Sequence, residues 1–248
     1  SVETCIDVAQ GLPFALSAKR YLITHAHQDH AGGIPYLVSQ KALNKQTPPT
    51  FFVPPGTAQD LKKIMDLWSK LEGYNYDFRV EEASANHEYL INDRYFFRPF
   101  RTTHRIVSLG YCLFERRRKL KSEYVGLAQQ ELEKLSHEKI PLTNIVDSPL
   151  IAYTGDTTTD FLAHDSWIKK VRLLFIEMTY VGPKKSRQSA REWGHIHLED
   201  LAEVIQQIES EKIVLLHLSR RHSFAEAQYH LQKTFSPEDL QRIELLPL

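Results

Sequence analysis

Histidine is the residue type in excess: the 248-residue chain holds 12, and neutral imidazole is the commonest protein ligand for zinc. Three of them stand together with an aspartate in Thr24-His25-Ala26-His27-Gln28-Asp29-His30-Ala31-Gly32-Gly33. His25 and His27 stand two apart on chain leaving an apolar run, so both rings can turn toward one ion. Asp29 and His30 follow around the turn, placed to serve a second ion. Such a pattern arises by chance about 0.001 times per chain. Carboxylate oxygens and imidazoles without thiolates suit Zn²⁺ or Mn²⁺ in a catalytic site with room for water. Two adjacent ions lower the pKa of a shared water toward about 7 and clamp both oxygens of an in-line displacement, which is hydrolytic chemistry.

Such a site needs elements that deliver its donors to one place. Five apolar runs end in a suitable group: Tyr21–Thr24 before His25, Phe96–Thr103 before His104, Leu150–Gly155 before Asp156, Leu173–Ile176 before Glu177, and Ile213–Leu216 before His217. Polar groups gathered beyond strand ends are how α/β sheets build active sites. Pattern predicts strands over Tyr21–Thr24, Thr50–Val53, Tyr95–Thr103, Ser108–Glu115, Leu150–Thr154, Arg172–Ile176, Lys212–Leu216 and Arg242–Leu246. It predicts helices over Ile34–Leu43, Thr57–Glu72, Ala128–Ser136, Leu198–Glu209 and Phe224–Lys233. Interleaved strands and helices give a layered α/β domain, expected here as one unit over 1–248.

Lys+Arg and Asp+Glu number 31 each, so the net charge of zero excludes a strongly basic coat, though not local basic patches. At 42% apolar and 25% charged residues the chain is too apolar for disorder. No apolar run approaches the ~20 residues of a membrane span. Cys5 and Cys112 are the only cysteines, too few for a disulfide framework, and no signal-peptide pattern opens the chain. A cytoplasmic, reducing setting is expected.

His25-Ala-His-Gln-Asp-His30 resembles the HxHxDH signature of the metallo-β-lactamase superfamily, which implies a four-layer αβ/βα sandwich binding two zinc ions, here expected to lack its first N-terminal strands. Thr103-His104 with Gly110-Tyr111, Tyr153-Thr-Gly-Asp-Thr157, Glu177-Met-Thr-Tyr180, Gly194-His-Ile-His197 and Leu216-His-Leu-Ser-Arg220 resemble, in order, later motifs of ribonuclease Z, the endonuclease that trims the 3′ trailer from precursor tRNA. Glu3-Thr-Cys-Ile6, Glu123-Tyr-Val-Gly-Leu127 and Gly194–His197 are similar to its short plant-type form. The resemblance implies that His25, His27 and His104 hold the first zinc and that Asp29, His30 and His217 hold the second, with Asp156 bridging. It further implies Asp29 as the group orienting the water. His195 becomes the proton donor to the leaving ribose 3′-oxygen, with Glu177 fixing its tautomer, and a homodimer is expected.

Two basic clusters offset the neutral total: Arg116-Arg-Arg-Lys119 with Lys121, and Lys184, Lys185, Arg187 and Arg191. Lys184, Lys185 and Arg187 are expected to grip RNA backbone beside the scissile phosphate, which would make affinity salt-dependent. The chain departs from the family pattern in two places. Only 51 residues separate His104 from Asp156, and the basic insertion around 116–147 has no Gly-Pro, so the protruding Gly-Pro arm of many short family members is expected here to be short or remodelled. His222 stands where the family often has tyrosine. Two alternatives remain: a metallo-hydrolase of small phosphodiesters such as cyclic nucleotides, and a non-catalytic RNA-binding scaffold of the same fold.

Overall fold

The structure, a computed structural model, describes residues 3–9 and 11–247, and its strands form two sheets. The first is parallel throughout, in the order β1 (Thr4–Ile6), β2 (Arg20–Leu22), β3 (Thr50–Val53), β4 (Arg79–Glu82). The second contains β5 (Tyr89–Leu90), β6 (Tyr95–Arg101), β7 (Leu109–Leu120), β8 (Thr143–Tyr153), β9 (Leu173–Glu177), β10 (Lys212–Leu216) and β11 (Ile243–Leu245), paired in reverse order from β11 to β5. The helices are α1 (Gln28–Ala31), α2 (Ile34–Leu43), α3 (Ala58–Glu72), α4 (Gln129–His137), α5 (Arg187–Glu192), α6 (Leu198–Val204), α7 (Phe224–Thr234) and α8 (Pro237–Arg242).

Side-chain alternation sorts these elements into four layers, because successive residues of a strand face opposite ways. Tyr21, Ile23, Phe51 and Val53 pack with Leu37 and Val38 of α2 and Leu61 and Met65 of α3. Their neighbours Leu22 and Phe52 face the other way, against Phe97 and Tyr111 of the second sheet. On that sheet's far side, Phe96, Phe100, Cys112, Leu174, Ile176 and Leu215 pack with Leu201 of α6 and Leu231 of α7. The order helix, sheet, sheet, helix is the αβ/βα sandwich.

Three strands escaped the sequence pattern. β1, β4 and β5 are two to four residues long, and in Arg79-Val-Glu-Glu the charge of an edge strand hides the alternation. β8 begins seven residues earlier than expected, because it pairs with β7 from Leu120↔Thr143 onward, outside the two-sheet core. No residue from 116 to 151 is buried, so this hairpin, carrying α4 near its tip, projects from the body. Its register shifts between Leu113 and Phe114, opposite Pro149, where a missing N–H is tolerated at a bulge. The helix expected over Leu198–Glu209 ends at Val204 and tightens into a 3₁₀ turn, Ile205–Gln207. Arg242 Nη2 caps that end by donating to Ile205 O at 3.0 Å.

Candidate metal and catalytic site

Strand direction brings the donors together. β7 runs antiparallel to both β6 and β8, while β8, β9 and β10 pair in parallel. So β6, β8, β9 and β10 share one direction and release His104, Asp156, Glu177 and His217 at the same edge. From the first sheet β2 leads to His25, and Leu109 N–H donates to Thr24 O at 2.9 Å, stitching the two edges together. Gly155 (φ 61°) takes the chain past Thr24, where a Cβ would meet the threonine side chain at 2.7 Å.

The donors form two groups around one carboxylate. His27 Nδ1 lies 3.0 Å from His25 Nε2 and 3.2 Å from His104 Nε2. Asp156 Oδ2 is 3.7 Å from His25 Nε2 and 4.0 Å from His104 Nε2. Asp156 Oδ1, its other oxygen, is 3.4 Å from both His30 Nε2 and His217 Nε2. Asp29 Oδ2 completes the second group, 3.7 Å from His30 Nε2 and 3.6 Å from His217 Nε2. A tetrahedral ion with ligands at about 2.05 Å separates them by about 3.3 Å. His30 Nε2 and Asp156 Oδ1 are buried with no hydrogen-bond partner, an arrangement natural chains avoid unless something else is held there. The residues fit a pair of divalent cations.

The far sides of His25, His30, His104 and His217 are held. Asp7 Oδ2 accepts from His30 Nδ1 at 2.7 Å and from Thr24 Oγ1 at 2.9 Å, while its Oδ1 accepts from Thr24 N–H at 2.8 Å. Thr24 Oγ1 is also 3.0 Å from His25 Nδ1. Gly194 O accepts from His104 Nδ1 at 2.9 Å, and Thr179 Oγ1 lies 2.9 Å from His217 Nδ1. Such partners orient a ligand and raise its basicity. His217 has a left-handed backbone (φ 62°), which costs energy for a side-chain-bearing residue. Met178 N–H donating to Leu216 O and Ser219 N–H donating to Thr179 O hold it on both sides.

Fully buried Glu177 is saturated with donors. Its Oε1 accepts from Thr157 N–H and from His195 Nδ1, both at 2.9 Å. Its Oε2 accepts from Thr179 Oγ1 at 2.6 Å and from Ile196 N–H at 3.1 Å. The carboxylate thereby fixes the Nδ1–H tautomer of His195, whose Nε2 has no hydrogen-bond partner among the described residues. A parallel bridge between Tyr180 and His197 brings His195 here, with its ring 5.0 Å from that of His104 and 5.5 Å from that of His217.

Proton affinities in the metal-free chain divide along the same line. Burial and the neighbouring imidazoles push His25 down to about 3, and burial lowers His27 and His104. Burial opposes charge on His30 as well, but Asp156 and Asp7 outweigh it and lift His30 to about 10. His217 rises similarly, burial being outweighed by Asp29 and Asp156. Asp29 is lowered mainly by its hydrogen bond to His217. For Asp156 burial works against ionisation, but His30 and His217 hold the carboxyl below its usual range.

All seven metal-ligating candidates, with Glu177 and His195, therefore converge. The basic residues divide. Lys184 pairs with Glu226 at 2.7 Å, and Arg187 with Asp200 and Glu203. Lys185 has no carboxylate partner among the described residues and lies over Tyr180 and Trp193. Arg116 is bound between Glu88 and Asp147. Asp7, Thr24, Thr179 and Gly194 were missed by sequence reasoning. Thr24, Thr179 and Gly194 lie inside recognised motifs without having been given a role, whereas nothing local marks Asp7. His197 caps α6, accepting at Nδ1 from Glu199 N–H, and donates from Nε2 to Gly182 O at 3.0 Å. Cys112 is buried and Cys5 partly buried, both as free thiols.

Comparison with known proteins agrees with this geometry. The family model described as a Beta-lactamase superfamily domain matches residues 17–218. The tRNase Z TRZ1 of Arabidopsis thaliana is 30% identical over 230 residues, covering 92% of this chain and 82% of the relative. The chain belongs to the ribonuclease Z family of the metallo-β-lactamase superfamily. The chloroplastic tRNase Z TRZ2 of the same plant is 29% identical, with coverage of 90% of this chain and 66% of the relative. Among solved structures, human short-form tRNase Z superimposes with a TM-score of 0.60 at 19% identity, covering 98% of this chain and 84% of that one. That likeness is one of fold. Ribonuclease Z relatives thus span nearly all of the chain.

Proposed function

We propose that the chain is a metal-dependent endoribonuclease that removes the 3′ trailer from precursor tRNA. The observation that carries this is the split carboxylate of Asp156, one oxygen toward His25 and His104, the other toward His30 and His217, in a chain related to tRNase Z over 92% of its length. In this reading His25, His27, His104 and Asp156 hold one Zn²⁺, and Asp29, His30, His217 and Asp156 hold another, with Mn²⁺ a substitute suited to the same donors. Two such ions, when bound, activate water and withdraw charge from the phosphate.

The chain's own groups supply the rest. Asp29, the most exposed of the donors, orients the attacking water through the oxygen not turned to the cluster. His195 gives the proton from Nε2 to the departing ribose 3′-oxygen, while Glu177, hydrogen-bonded to Nδ1, holds the ring in place. Lys185 offers its ammonium to the RNA backbone, with Lys184 and Arg187 in the same loop.

The reading extends to assembly and setting. α3 carries a second apolar stripe, Ile64, Leu67, Trp68 and Leu71, exposed at helical spacing, which we assign to a homodimer contact. No helix among the described residues is long and apolar enough to cross a membrane. Two free cysteines suit a reducing compartment such as the cytoplasm, although relatives named nuclear and chloroplastic work elsewhere.

The deciding experiment compares precursor tRNA carrying a 3′ trailer with a small chromogenic phosphodiester. Cleavage at the trailer junction, abolished by chelation and restored by zinc, is the expected result. Hydrolysis of the small diester alone would replace the proposal with a small-phosphodiester hydrolase.

A further inference from the structure

Beside His195 stands a large aromatic that the chemistry above does not use. Trp193 is 47% exposed, leaving much of a large aromatic surface open to solvent. Two cations cover it: Arg105 lies 4.2 Å from its ring centroid and Lys185 lies 5.4 Å from it. Neither has a carboxylate partner among the described residues, in contrast with Lys184, Arg187 and Arg191, all of which are ion-paired. Their charge is therefore free for an anion.

Backbone geometry fixes this cluster against the reacting groups. Gly194 has φ 72°, and a Cβ there would meet His104 Cα at 2.7 Å and Arg105 N at 3.0 Å. Only glycine lets the chain press so closely. That contact, closed by the hydrogen bond from His104 Nδ1 to Gly194 O, sets Trp193 beside Arg105 and one residue from Gly194-His195. The loop from β9 brings Lys185 over both Trp193 and Tyr180. An exposed aromatic among unpaired cations is how proteins seat an unstacked base with its phosphate.

Resting on the endonuclease reading above, we propose that Trp193, with Arg105 and Lys185, is the stacking platform for the nucleobase immediately upstream of the scissile phosphate. The side follows from His195. The oxygen it protonates belongs to the upstream ribose, so the surface on its flank meets the upstream nucleoside. The cations reach the phosphates on either side of that nucleoside. Trp193 is a positioning residue, selecting an end that is unpaired and able to lie flat on the indole.

The test is a four-way comparison under single-turnover conditions, with zinc-loaded wild type and Trp193→Ala acting on precursor tRNA that is intact or abasic at the nucleotide before the cut. Wild type should slow by roughly 5- to 150-fold on the abasic substrate. Trp193→Ala should slow by a similar factor on intact RNA and then be indifferent to the missing base. Trp193→Phe, which keeps a ring, should stay within a few-fold of wild type and keep its sensitivity to the base. Losses that multiply, or wild type indifferent to the missing base, overturn the platform and leave the endonuclease standing; the second arm needs no variant to fold. A wild type that hydrolyses a small diester but spares precursor tRNA overturns both.

Discussion

Asp7 offers the sharpest perturbation, because one carboxylate orders half of the site. It accepts from His30 Nδ1 at 2.7 Å, Thr24 Oγ1 at 2.9 Å and Thr24 N–H at 2.8 Å, and its side chain is only 8% exposed. Asp7→Asn conserves shape but replaces one acceptor with an NH₂. If the amide oxygen faces Thr24 N–H, the NH₂ faces the proton on His30 Nδ1. His30 escapes by moving that proton to Nε2, the atom aimed at Asp29 and Asp156, where it blocks ligation. Loss of an outer carboxylate weakens metal binding by about 10- to 100-fold, and leaving a buried donor unpaired costs about 1–3 kcal/mol, the same range. In a competition titration against a chromophoric chelator, the ion held by Asp29, His30 and His217 should weaken by that factor. The ion held by His25, His27 and His104 should change much less. Wild-type affinity for both equivalents, or weakening of the first alone, would refute the role of Asp7 in setting the His30 tautomer.

Proton release should distinguish the two ions. The first group is neutral at pH 7, with His25 near 3, whereas His30 is held protonated up to about 10, so the second ion must displace protons and should bind more tightly as pH rises. Calorimetry in buffers of different ionisation enthalpy reads this directly, and equal release for both ions counts against it. The same shift means that, without metal, the stabilisation from charged His30 is complete below about pH 6.5 and is lost as pH approaches 10. His195→Ala should cost about 10²–10⁴ in cleavage of RNA but little on a p-nitrophenyl diester, whose leaving group needs no proton; equal losses would remove His195 as the donor. Reversing Lys184, Lys185 and Arg187 to glutamate should weaken precursor tRNA binding and flatten its salt dependence. Unchanged cleavage at moderate salt would place the RNA elsewhere.

The long elements were readable from the chain because burial leaves a periodic trace. α2 occupies Ile34–Leu43 as the spacing predicts, and β3 and β10 match their apolar runs. β4 and the outer half of β8 left no trace, since an edge strand and a projecting hairpin bury too little to constrain their side chains. The same contrast divides the site. His25, His27, Asp29 and His30 announce themselves by offsets within one turn, where chain geometry alone brings rings together. His104, Asp156, Glu177 and His217 could be suspected only as polar endings of apolar strands.

Sequence by itself thus determined the donor chemistry, an oxygen and nitrogen set without thiolate, and the strands that carry it. Tertiary structure alone decided three things: the one-way run of β6, β8, β9 and β10 that turns those endings toward one edge, the recruitment of Asp7 from β1's far end to hold His30, and the ion pairing that neutralises Lys184 and Arg187 while sparing Lys185 and Arg105. The physical reason is range. Periodicity and local offsets are properties of neighbouring residues, whereas hydrogen bonds and ion pairs across 13 to 90 positions exist only once the two sheets have packed.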